Sequence, residues 1–124
     1  MTKQLTIRPA AVGKVEANVY LNQTAKGYYD KSAKRRQMLI VLPGSMFTDK
    51  HAGGWIPDNL DVLTREGYLE KKANGYLVLK PVCGSPSGTA AAILGKDGPG
   101  KPSGFLLWTF PDGRTIAEAG EKPK

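Results

Sequence analysis

The chain has 124 residues, 40% of them hydrophobic, and 18 Lys+Arg against 11 Asp+Glu leave a net charge of +7. This length and apolar content predict one domain with a real core and exclude a disordered chain, although 15 Gly and 9 Pro promise many turns. The single Cys83 and single His51 exclude an internal disulfide framework and a cysteine-based zinc cluster, and no apolar run is long enough to cross a bilayer.

In chain order, Leu5–Ile7 and Val15–Leu21 read as short strands. In the second, Val15, Ala17, Val19 and Leu21 alternate with Glu16, Asn18 and Tyr20, the period of a half-buried strand. Gly27-Tyr28-Tyr29 starts another. "DKSAKRR" (30–36) is a cation-rich connection into "MLIVL" (38–42), a short apolar run expected as a central strand and ended by Pro43-Gly44. Residues 48–54, His51 among them, form a loop. "WIPDNLDVLTREGYL" carries helix signals: Pro57 at the start, Asp58 and Asp61 at the positive end, Ile56, Leu60 and Leu63 on one face, and Gly67 as the stop. Asn74-Gly75 between Tyr68–Glu70 and Tyr76–Lys80 marks a hairpin.

"SPSGTAAAILG" (85–95) is a second helix, with Ser85 as N-cap, Pro86 in the first position and Gly95 as the stop. A loop rich in Gly, Pro and Lys follows. Phe105–Phe110 reads as a buried strand, since Leu106, Trp108 and Phe110 on one face and Phe105 and Leu107 on the other are all apolar. Pro111-Asp112-Gly113 turns the chain back through Arg114–Ile116, and residues 119–124 are expected to fray. The expected fold is α+β: a small single domain of mostly antiparallel strands with two short helices.

These residues carry a resemblance. Gly27-Tyr28-Tyr29, the strand end Val41-Leu42-Pro43-Gly44-Ser45, the helix positions Leu60, Leu63, Gly67 and Leu69, the segment Ser85-Pro86-Ser87 with Ala90–Ala92 and Leu94-Gly95, and Gly104, Phe105, Trp108 and Asp112–Ile116 occur in that order. The stretch 26–118 thereby resembles the bacterial domain of unknown function found at the C-terminal end of GIY-YIG nucleases and restriction-linked proteins, and the related RAMA domains. It departs from them in having Phe105 where tryptophan is usual and in a longer loop after Gly95, and a free-standing domain with no nuclease or methylase attached is expected. Residues 1–25 fall outside the match. The resemblance implies company with DNA-cutting and DNA-modifying enzymes, and association with DNA rather than a mechanism.

Candidate contacts follow from charge and polarity. Lys31, Lys34, Arg35 and Arg36 form the densest cationic run, Lys71 and Lys72 tip the hairpin, and Lys96 and Lys101 lie in the later loop. Each cluster has a plain alternative as a solvated surface. Ser87 and Thr89, at a helix start, are candidates for phosphate contact, whereas Ser85 and the alanines serve the fold. Trp108 and Phe105 could stack on a base but suit core packing better. Cys83 is expected to be a buried bystander. No paired carboxylates, P-loop, metal-ligand spacing or nucleophile with a base is present in the sequence, so neither a catalytic centre nor a cofactor is expected. The expected function is a non-catalytic nucleic-acid-binding module, for DNA, linked to restriction-modification or mobile-element biology. The alternative is a small phage- or plasmid-type inhibitor of a host restriction or CRISPR protein complex, and an orphan enzyme is a third option. With no charged-then-apolar leader, a cytoplasmic setting without a membrane partner is expected.

Overall fold

The computed structural model describes residues 7–10, 15–21, 25–34, 37–48, 60–73, 75–94 and 106–120. Strands β1 (Arg8–Pro9), β2 (Val19–Leu21), β3 (Ala25–Tyr29), β4 (Leu39–Val41) and β8 (Val82–Gly84) form one sheet in the order β1-β8-β4-β3-β2. Strands β5 (Met46–Thr48), β6 (Leu69–Lys72) and β7 (Gly75–Val78) form a second, ordered β5-β7-β6. Every pairing is antiparallel. Helices α1 (Leu60–Arg65) and α2 (Pro86–Leu94) complete a small α+β domain, as expected.

β4 is central, and the reason lies in its unbroken apolar run: all three of its residues are buried because both faces of the sheet are covered. Leu39 and Val41 join the main core with Phe47, Trp108 and Ile116. Ile40 joins Leu42 and Cys83 in a smaller cluster on the other face, against which Val15, Ala17 and Tyr28 pack. In α1, Leu60 and Leu63 point into the core. Gly67, with φ of +86°, ends that helix in a conformation that side chains disfavour.

The turn after β4 ties the two sheets together. Buried Ser45 accepts the Lys26 N–H at 3.0 Å and donates back to the Lys26 carbonyl at 3.2 Å. The Gly44 N–H donates to the Val78 carbonyl at 3.0 Å, and the Val78 N–H donates to the Ser45 carbonyl at 2.9 Å. A small polar residue is required here, since one hydroxyl satisfies two backbone groups inside a dry junction.

Several expectations are corrected. Of Val15–Leu21 only Val19–Leu21 is strand; Asn18 continues the pairing with its side-chain amide, which donates to the Tyr29 carbonyl at 3.2 Å and accepts the Tyr29 N–H at 2.7 Å. The first strand among the described residues is Arg8–Pro9; Ile7 precedes it, and the rest of the expected Leu5–Ile7 strand lies outside the described residues. Met46–Thr48 is a strand that three residues could not announce by period; pairing with β7 creates it. Gly75 belongs to that hairpin's strand, facing Lys72 and Thr48, rather than to its turn. A Cβ there would collide with the Phe47 carbonyl, so the glycine serves close strand approach.

The expected buried strand at Phe105–Phe110 is the largest correction. Phe105 lies outside the described residues; Leu106 is 60% exposed, and of residues 106–110 only Thr109 forms bridges, to Tyr20 and Thr115. The turn at Pro111–Gly113 forms as expected, with the Phe110 N–H donating to the Arg114 carbonyl at 2.8 Å and the Gly113 N–H to the Phe110 carbonyl at 2.9 Å. Residues 119 and 120 are held in a following turn, where the Thr115 N–H donates to Glu118 at 2.9 Å and the Glu118 N–H to the Thr115 hydroxyl at 3.1 Å. This is a reciprocal capping box.

Candidate nucleic-acid interface

The start of α2 is built for the fold. Ser85 caps it, accepting the Gly88 N–H at 2.9 Å. Thr89 is corrected as a contact candidate: it is fully buried, and its hydroxyl is spent inside the protein. That hydroxyl lies 2.9 Å from the Ser85 carbonyl and 3.1 Å from the Pro86 carbonyl, to which it donates, and it accepts the Trp108 indole N–H at 3.2 Å. The indole also reaches the Pro86 carbonyl at 3.2 Å. Trp108, fully buried, is therefore a core anchor rather than a base-stacking surface. Gly27 makes room for it: a Cβ there would lie 3.3 Å from the indole ring and 2.9 Å from the Ile40 carbonyl. Ser87, half-buried, already has an interaction of its own.

The hairpin cations are occupied locally. Lys71 donates to the Lys72 carbonyl at 3.0 Å, its ammonium 5.0 Å from the Tyr76 ring centre. Lys72 pairs with Glu70 at 3.1 Å, both side chains about half exposed. Arg35, Arg36, Lys96 and Lys101 lie outside the described residues.

Lys31 and Lys34 are exposed on the connection between β3 and β4. Asp30 shapes its start, accepting the Ser32 N–H at 3.0 Å and the Ser32 hydroxyl at 2.7 Å. Beside this turn opens a cleft of about 260 Å³ lined by Asn18, Tyr29, Lys31, Phe110, Arg114 and Ala119. Two chain regions far apart in sequence thus bring two cations and two aromatic residues to one concavity, and among the described residues no carboxylate lines it.

The nearby acids are held in turns. Asp112 accepts the Arg114 backbone N–H at 2.9 Å and pairs with its guanidinium Nε at 2.7 Å. The backbone hydrogen bond, followed by the side-chain one, holds the Asp112 carboxyl below its ordinary value. Glu118 is turned onto the Thr115 backbone. The Asp112 clamp fixes both the backbone and the guanidinium of Arg114, so the cation on this rim is oriented before any ligand arrives.

Two other clefts differ in chemistry. One, of about 260 Å³, contains Asp30 with Gln37, Ile40 and Cys83, and a carboxylate there opposes an anion. Another, of about 460 Å³, is formed by Val15, Ala17, Leu42, Pro43 and Pro81 between Glu16 and Lys26, and is chiefly apolar. Cys83 itself is buried, and that burial pushes its thiol above the ordinary value while the Arg8 charge pulls the other way. A buried, protonated thiol is a poor nucleophile.

Sequence reading found Lys31 from its charge run but missed Arg114, Phe110 and Tyr29. "PDGR" signals a turn, and no local feature says which cation the turn sets opposite it. An arginine directly after a turn glycine, adjoining an aromatic segment, was the available signal. Among the described residues no cluster of three or more His, Cys, Asp or Glu could hold a metal ion, and no helix is long and apolar enough to cross a membrane. Comparison with family models, with curated proteins and with solved structures finds no match for the chain.

Proposed function

We propose that this protein is a non-catalytic nucleic-acid-binding module, with DNA as the expected ligand, and that it engages the phosphate backbone at the Lys31–Arg114 cleft. The observation that carries this reading is the convergence of Lys31, Arg114, Tyr29 and Phe110 on one concavity, in a chain of net charge +7. Cations at a concave surface concentrate phosphate, and release of counterions supplies the affinity. The resemblance of residues 26–118 to restriction-associated domains supports placing the module in restriction-modification or mobile-element biology, in the cytoplasm.

The test is retention of a short DNA on the purified protein as salt is raised. Binding is expected to fall steeply with salt, and replacing both Lys31 and Arg114 by alanine should lower the slope of log K against log salt by about two. Absence of retention at low salt would overturn the reading. It would turn attention to the alternative, a small inhibitor that binds a host restriction or CRISPR protein complex.

A further inference from the structure

We infer that the Lys31–Arg114 cleft takes a single unpaired nucleotide, so that the protein prefers single-stranded to duplex DNA. This rests on the nucleic-acid reading above and adds the form of the ligand.

Three features of the cleft point to this. Its volume, about 260 Å³, is below the usual range of drug-sized sites. It therefore suits one base and its sugar rather than a paired step. The lining combines half-buried Phe110 and buried Tyr29 with the polar side chains of Asn18 and Lys31. In a duplex the ring faces of the bases are covered by their neighbours, and only edges and phosphates reach a protein. Phe110, only half-buried, gains stacking only from a base whose face is exposed, which is the single-strand condition, while buried Tyr29 backs the cleft wall.

The two cations come from different segments of the lining, Lys31 beside the end of β3 and Arg114 on the turn after Phe110. A nucleotide seated between them would have a phosphate within reach of each. Arg114 is held by Asp112 at 2.7 Å and Tyr29 is held by the paired bonds to Asn18. Both segments are thus set by contacts within the protein. Asp112 offsets part of the Arg114 charge, so long-range attraction is modest and stacking must supply the discrimination.

The experiment measures fluorescence anisotropy of a labelled 15-nucleotide oligothymidine and of a labelled hairpin duplex at equal salt, with the wild-type chain and the variants Phe110→Leu and Arg114→Ala. Phe110→Leu keeps apolar bulk and removes the ring face, and thermal melting checks that each variant is folded. The wild type is expected to bind the single strand about tenfold more tightly than the duplex, and Phe110→Leu to remove most of that preference. Arg114→Ala should weaken single-strand binding by about tenfold. Equal binding of both DNAs would overturn the inference while leaving the nucleic-acid reading standing. A single-strand preference that survives Phe110→Leu unchanged would overturn the assignment to this cleft. Binding of neither DNA would overturn both.

Discussion

The start of α2 and the cleft between Lys31 and Arg114 both offer polar groups to a phosphate, yet they are built for different ends. At the helix start the groups are satisfied inward: Ser85 caps the backbone, and Thr89 sits fully buried between two carbonyls and the Trp108 indole. At the cleft Lys31 and Arg114 are exposed, and the acids close by are turned onto backbone N–H groups. The difference teaches that polar residue type does not distinguish a site from a strut. What distinguishes them is burial: Thr89 has no exposed surface, whereas Lys31 and Arg114 keep theirs.

Substitutions can break this contrast. Trp108→Ala should cost about 3–5 kcal/mol in a denaturant melt, because it empties the centre of the core and orphans the Pro86 and Thr89 contacts. Thr89→Val, which keeps the shape and removes the hydroxyl, should cost about 1–2 kcal/mol and leave DNA affinity per folded molecule unchanged. If Thr89→Val instead weakened DNA binding in a fully folded protein, the helix start would be a contact site after all. Arg114→Ala should give the reverse pattern, a loss of DNA retention with thermal stability changed by less than about 0.5 kcal/mol, since it is an exposed pair.

Smaller effects sharpen the same line. Lys71→Ala together with Lys72→Ala should change DNA affinity by less than about threefold, because the hairpin cations are engaged with the Tyr76 ring and Glu70 and line none of the three clefts. A large loss from that pair would move the interface to the second sheet. The smallest effect is on Asp112. Its folded-state pKa is depressed, so the contact it makes is present above the ordinary carboxylate range and is lost only as pH falls through the lowered value. Carboxyl titration followed by NMR should place the Asp112 midpoint below that of an exposed aspartate, and Arg114→Ala should return it toward the ordinary value, though not fully, since the backbone N–H remains.

Much of the fold was legible because its signals are local. "MLIVL" could only be a strand covered on both sides, "SPSG" wrote a helix start, and Gly67 and Pro111–Gly113 wrote stops and turns. The failures share one physical cause. β5 exists because β7 pairs with it, Gly75 is a glycine because the Phe47 carbonyl lies against it, and Phe105–Phe110 read as a buried strand because both of its faces are apolar. Among its described residues only Trp108 is fully buried, while Leu106 is left largely in solvent.

By itself, then, the sequence determined the α+β class, the central strand, the capped helix and the positive charge, each set by short-range sterics, backbone capping or composition. Tertiary structure alone decided that Thr89 is a strut, that Gly27 clears space for Trp108, and that Lys31 meets Arg114 across a cleft with Phe110 and Tyr29. Those outcomes depend on which residues, from 19 (Thr89 and Trp108) to 83 (Lys31 and Arg114) positions apart in the chain, come together. That meeting is set by long-range packing, which no local pattern encodes.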